Sequence, residues 1–176
     1  MGTHFWGFQQ HPEISPDIVT IGKGIGNGFP IAVVVCRQEI ADALDAESRE
    51  VFSTFGGNPV ACQAALAVLR VIKDEGLQQN ALETGDYLMH ELKALRSNMI
   101  KEVRGSGLFV GVEFVSGSIA SQVTRRLYDI HHVLASLDGP EDKVMVIKPP
   151  LCWKAQQVDE FVAALRETLS CLLHRQ

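Results

Sequence analysis

The stretch that most restricts the fold is Asp17-Ile18-Val19-Thr20-Ile21-Gly22-Lys23-Gly24-Ile25-Gly26-Asn27-Gly28-Phe29-Pro30. It opens as a strand, because Ile18, Val19 and Ile21 are β-branched and Thr20 stands among them. It then breaks into glycines at positions 22, 24, 26 and 28. Glycine has no Cβ and tolerates positive φ, so the backbone can turn sharply beside a bulky group. A lysine at the end of a buried strand is expected to point inward, where loss of hydration favours the neutral, nucleophilic amine. Those are the needs of a lysine that forms a Schiff base.

Other readings of the loop differ in strength. A P-loop needs Ser or Thr after its lysine, and Lys23 is followed by Gly24. A dinucleotide fingerprint needs a third glycine at position 29, which is Phe29. A flexible loop with a solvated lysine stays open on this stretch alone. A second candidate is Thr54-Phe55-Gly56-Gly57-Asn58-Pro59. A hydroxyl and exposed backbone N–H groups just before a helix N-terminus suit a phosphate. Asn58 as N-cap and Pro59 as first helical residue also make a plain capping turn.

The chain has 176 residues, 46% of them hydrophobic, which suits one domain or two small ones with a real core. Its net charge of −5, with no basic run, gives no sign of nucleic-acid binding. No apolar stretch reaches membrane-span length, and Met1-Gly2-Thr3-His4 lacks the marks of a signal peptide. Cys36, Cys62, Cys152 and Cys171 form no Cys-x-x-Cys pair, so buried free thiols in a reducing compartment are expected. The six histidines show no metal-ligand spacing, and no metal site is expected.

The remaining pattern alternates strands and helices. Ile31–Cys36 is a continuous apolar run, as in a strand covered on both faces. Gln38–Leu44 predicts a short helix, and an alanine-rich helix follows Pro59 until Gly76. Leu77–Leu95 carries Leu88, Leu92 and Leu95 on one stripe. Within Ile100–Val115, positions 108, 110, 112 and 114 alternate with 109, 111 and 113, giving a strand. Gly117–Ser121 reads as a loop and Gln122–Ile130 as a short helix. His132–Leu137 and Lys143–Lys148 read as strands across Asp138-Gly139-Pro140. Gln157–Leu173 has Val158, Phe161, Val162, Leu165, Leu169 and Leu172 at helical spacing, a core-facing stripe. The aromatic run His4–Phe8 either caps a core or marks a chain that belongs to something longer.

Taken together, Gly2-Thr3-His4-Phe5-Trp6-Gly7-Phe8-Gln9, the block from Pro16 to Pro30, and Thr54–Pro59 resemble the class III aminotransferases of the fold-type I pyridoxal 5′-phosphate (PLP) superfamily. Val103–Leu108 is similar to that family's small domain. The likeness extends to the alanine–glyoxylate aminotransferase branch and to the ethanolamine-phosphate and phosphohydroxylysine phospho-lyases, the last through Lys148–Cys152. The resemblance implies an α/β fold. Residues 1–96 would be the end of the large PLP-binding domain with its connecting helices, and residues 97–176 a small α+β domain.

It also implies that Lys23 forms the Schiff base with PLP and then moves the substrate's Cα proton. Thr54 would bind the cofactor phosphate from the neighbouring subunit of a homodimer with shared sites, with the backbone of Phe55 and Gly56 close by. The expected partners are a small amine or amino acid and a keto acid or aldehyde, in a mitochondrial or cytoplasmic setting. The family's glycine-rich phosphate loop, ring-stacking aromatic and pyridinium-pairing acid would lie upstream of Gly2. The chain is therefore expected to be a C-terminal portion, not competent alone. Many amino-acid transaminases of the family place an arginine two residues before the first proline of a Pro-Pro pair; here that residue is Ile147, with Val146 before it. A carboxylate clamp needs a guanidinium fork. Elimination of phosphate from an amino-alcohol or hydroxylysine phosphate is thus an alternative to amino transfer. A catalytically inactive fragment that acts only by dimer association is another.

Overall fold

Alternating apolar residues build the larger of two compact units. The computed structural model describes residues 2–47 and 52–173. Residues 2–7 with 77–173 form one unit and residues 8–76 the other.

In the unit after Gly76, strands β3 (Ile100–Ser106) and β4 (Phe109–Phe114) form a hairpin. Strands β5 (Ser136–Asp138) and β6 (Val144–Ile147) complete an antiparallel sheet in the order β3-β4-β6-β5. The alternation read above at positions 108–114 is β4, and Gly107-Leu108 turns between it and β3. Val110, Val112 and Phe114 point into the core, and Val110 pairs with Ile147 and Val112 with Met145 in register. The core is closed by α3 (Leu77–Ala94), α4 (Gly117–His131) and α5 (Ala155–Leu173). Leu88 and Leu92 of α3, Val123 and Leu127 of α4, and Val158, Phe161, Val162, Leu165 and Leu169 of α5 are buried there. The stripe on α5 is therefore core. Its fellow Leu172 packs at the margin.

Two particulars differ from the sequence reading. Helix α4 starts at Gly117, so Gly117–Ser121 is helix and not loop. Ser116 caps it by accepting from the Ile119 N–H at 3.3 Å, and a side chain at 117 would strike the Glu141 carbonyl. Helix α3, grouped above with residues 1–96, packs on β3 and α5. Gly85 lets its backbone approach Gly107, and Tyr87 donates to Asp159 of α5 at 2.6 Å. Asn80 donates to the carbonyls of Leu151 (2.6 Å) and Trp153 (2.9 Å), which fixes the segment after Pro149-Pro150 to α3.

The unit of residues 8–76 is thinner. Strands β1 (Ile18–Ile21) and β2 (Val33–Cys36) pair antiparallel, Ile18 opposite Cys36 and Ile21 opposite Val33. Helix α1 (Gln38–Ala46) follows, and α2 (Pro59–Asp74) ends before Gly76, which has φ +60°. Burial on both faces of β2 is not observed: Val34 is 66% exposed and Val35 is exposed too. Two strands and two helices supply too little surface to cover both faces. The thiols are likewise free but not buried, with Cys36, Cys62 and Cys152 exposed and Cys171 half-buried. Phe5 is also exposed, its ring edge-to-face with Trp6 at 5.0 Å, so it does not cap a core.

Candidate functional site

The lysine loop is a tight turn. β1 ends at Ile21, Gly22 is extended at φ −147°, and Lys23–Gly26 forms one 3₁₀ turn. Asn27 closes it in the left-handed region at φ 45°, donating its N–H to the Gly24 carbonyl at 3.2 Å. Lys23 itself sits at φ 52°. A non-glycine residue held there costs on the order of 1–3 kcal/mol, a strain common where a side chain must be aimed. Gly26 is buried, and a Cβ there would lie 2.8 Å from Cγ2 of Ile31. Beside Gly22 and Gly24 the space is open.

Helix α2 packs on this turn, and its buried residues are Ala61 and Ala65. Alanine permits that close approach. Two residues that the sequence reading missed pin the strand ahead of Lys23. Arg37, just after β2, pairs with Asp17, just before β1, at 3.1 Å and donates to the Ser15 hydroxyl at 3.3 Å. The signal was available as opposite charges flanking two strands of equal length.

Lys23 does not point into an enclosed interior. It is exposed, and its ammonium has no ion pair among the described residues. The inward placement read from the sequence is therefore corrected: β1 is itself half-exposed, and this unit has too few layers to bury the lysine.

The second loop folds as its capping pattern dictates. Asn58 Oδ1 accepts from the N–H groups of Val60 (3.0 Å) and Ala61 (3.1 Å), and Pro59 opens α2. Ahead of it, Gly56 donates to the Ser53 carbonyl at 3.1 Å and Asn58 to the Phe55 carbonyl at 3.2 Å. Gly57 takes φ +67°. The Thr54 hydroxyl and the Phe55 N–H have no partner among the described residues, whereas the Gly56 N–H is engaged within the turn. Thr54 is exposed, and Phe55 is 77% exposed. No hydrogen bond joins Lys23 to Thr54 among the described residues.

Elsewhere, the solvent face of β3 and β4 carries a closed ion network. Glu113 accepts from Lys101 at 2.6 Å and from Arg104 at 2.7 Å, and Arg104 also holds Glu102 at 2.8 Å. The Lys101 and Arg104 hydrogen bonds hold the Glu113 carboxyl below the usual carboxylate range. Among the described residues there is no His, Cys, Asp or Glu cluster able to hold a metal, and no helix long and apolar enough to cross a membrane.

Comparison with known proteins places these loops in a family. The model of the class-III aminotransferases matches residues 2–169. The chain is 43% identical to alanine–glyoxylate aminotransferase 2-like from Drosophila melanogaster, over all of this chain and 37% of that protein. It is 40% identical to mitochondrial alanine–glyoxylate aminotransferase 2 from Homo sapiens, over all of this chain and 36% of that protein. A phospholyase from Arthrobacter, solved in complex with phosphoethanolamine, superposes with a TM-score of 0.90 at 33% identity, over 96% of this chain and 42% of that one. The chain thus spans under two fifths of the length of those two curated relatives, and its mixed α/β fold is that of the fold-type I transaminases. It belongs to the class-III aminotransferase family, whose members are PLP-dependent enzymes.

Proposed function

We propose that this chain is the C-terminal portion of a PLP-dependent transaminase in which Lys23 holds the cofactor. The observation that carries this reading is the Lys23 turn: a primary amine with no ion pair, on a strained backbone, with open space beside Gly22 and Gly24. These residues fit an aldehyde cofactor bearing a phosphate, since the unpartnered Thr54 hydroxyl and Phe55 N–H are phosphate donors. When bound, PLP supplies an electron sink for a carbanion at the substrate's Cα.

Lys23 Nζ would hold the cofactor's aldehyde carbon, and as a free amine it would take up and return the substrate's Cα proton. Thr54 would donate its hydroxyl to the phosphate in the partner subunit's site of a homodimer, with the Phe55 N–H as a second donor. Gly56 shapes the turn, because its own N–H is already engaged by Ser53. The partners are an amine or amino acid and a keto acid or aldehyde. The compartment is mitochondrial or cytoplasmic.

A second reading, elimination of phosphate from an amino-alcohol or hydroxylysine phosphate, is favoured by Ile147. That side chain is 5% exposed and belongs to the core, so it offers no carboxylate clamp. The Arthrobacter neighbour is itself a phospholyase. Product analysis of the full-length enzyme separates the two. Alanine with glyoxylate giving pyruvate and glycine supports amino transfer, and phosphoethanolamine giving inorganic phosphate supports elimination. Neither product from a PLP-loaded enzyme contradicts both. The shared site is tested by mixing a Lys23→Ala subunit with a Thr54→Ala subunit. Activity should return in the heterodimer, and no recovery despite confirmed subunit exchange contradicts a site built across subunits.

A further inference from the structure

Far along the sequence from both loops, the unit after Gly76 contains a cleft that the reading above does not use. It is an open cleft of about 300 Å³ lined by the turn after α3 and the last turns of α5. Leu95, Leu169 and Leu173 make its apolar part, and Arg96, Arg166 and Asn98 its polar part.

Neither arginine has a counter-charge among the described residues, a state that Arg70 and Arg126 share. In a chain of net charge −5, Arg37, Arg104 and Arg125 each hold a carboxylate. Arg96 and Arg166 have no ion pair and no side-chain hydrogen bond among the described residues. Arg166 has no acid to meet within its own helix face, since positions 162 and 170 are Val162 and Ser170, and the Ser170 hydroxyl donates to the Arg166 carbonyl at 3.0 Å.

Arg96 follows the end of α3 in the left-handed region, at φ 46°. Glycine or asparagine is the usual occupant of such a position. An arginine there would be unremarkable if its guanidinium capped the last carbonyls of α3, but no such bond is present among the described residues. The backbone strain is therefore not offset locally, and the exposed Arg96 stands at the rim of the cleft.

We propose that this cleft binds a small phosphomonoester dianion with a short carbon stem. Two guanidinium groups, each a planar fork of donors, match the three terminal oxygens of a phosphate and its double charge. The three leucines accept the stem. The volume lies at the small end of ligand pockets, which limits the stem to a few carbons.

Isothermal titration of the full-length enzyme with glycerol 3-phosphate tests this, with glycerol and succinate as comparators. The expected result is saturable binding of glycerol 3-phosphate, weaker binding of succinate and none of glycerol. Arg96→Gly removes the guanidinium while giving the left-handed backbone the residue that suits it. It should keep the fold, checked by circular dichroism, and weaken binding by about ten- to hundred-fold, the effect of losing a charge-assisted hydrogen bond. Arg166→Gln should do the same. Thr54→Ala should leave this binding unchanged, which separates it from the proposed cofactor site. Binding that survives both arginine substitutions, that disappears in Thr54→Ala, or that is equalled by succinate overturns the proposal. So does a folded full-length wild-type enzyme that shows no saturable binding.

Discussion

At the scale of the residue, the Thr54 hydroxyl is the most exposed part of the account to direct test. Thr54→Ala removes one hydrogen bond to a charged acceptor, worth about 1.5–3 kcal/mol. PLP affinity of the full-length enzyme should fall about ten- to hundred-fold in a spectroscopic titration, while Thr54→Ser, which keeps the hydroxyl, should lose much less. Equal affinity for wild type and Thr54→Ala would leave Thr54–Asn58 as a helix cap only. Glu113 gives a second residue-scale expectation. Lys101 and Arg104 lower its carboxyl below the unfolded value, so the stability it contributes is present above the unfolded pKa and lost as pH falls through the folded one. Thermal melts of Glu113→Gln and wild type should therefore differ near neutrality and converge in acid. A difference that grows toward low pH would contradict the assigned direction. Neither the Lys23 backbone strain nor the unpaired Thr54 hydroxyl is visible as a letter in the sequence. The residue types were readable, but φ 52° at Lys23 depends on how Asn27 and Gly26 close the turn.

At the scale of the element, caps and close approaches set what can be changed. Asn58→Ala removes the acceptor for two N–H groups at the start of α2 and should cost about 1 kcal/mol by denaturant unfolding. Gly85→Ala forces α3 away from the Gly107 backbone and should cost about 1–3 kcal/mol. Leu88→Ala opens a cavity at a fully buried position and should cost about 2–5 kcal/mol. A Gly85→Ala melt equal to wild type would show that the helix-to-hairpin contact is looser than described. Elements with a strong period were legible: α5 and β6 fall where their apolar spacing put them, whereas the strand read over His132–Leu137 forms only at Ser136–Asp138. The first turn of α4 was not, because Gly117 and Ser118 are poor helix formers. Ser116 as N-cap and the crowding of Gly117 by Glu141 override that propensity. The turn between β3 and β4 rests on Gly107, at φ 55°, and β3 was the harder strand to read because its apolar residues do not alternate.

At the scale of the whole molecule, the two units differ in how well they bury their own apolar residues. Among the described residues of the unit spanning 8–76, Phe52 is 83% exposed, and Ile18, Val34, Val35, Phe55 and Val60 are exposed as well. Exposed apolar side chains in that number favour association, and a two-stranded sheet keeps open edges. The isolated 176-residue chain should therefore self-associate in light scattering; a compact monomer with a single cooperative melt would contradict this. The sequence reading put Ile18, Val34 and Val35 in buried strands, because apolarity predicts cover without saying which part of a protein supplies it. The match over 36–37% of two curated relatives is consistent with cover drawn from elsewhere in an enzyme of their kind. The central claim is that Lys23 carries the cofactor, and one measurement addresses it directly. The full-length enzyme is saturated with PLP, reduced with borohydride, digested and mapped by mass spectrometry. The account predicts a phosphopyridoxyl group on Lys23. Finding it instead on Lys73 or Lys101 would contradict the account.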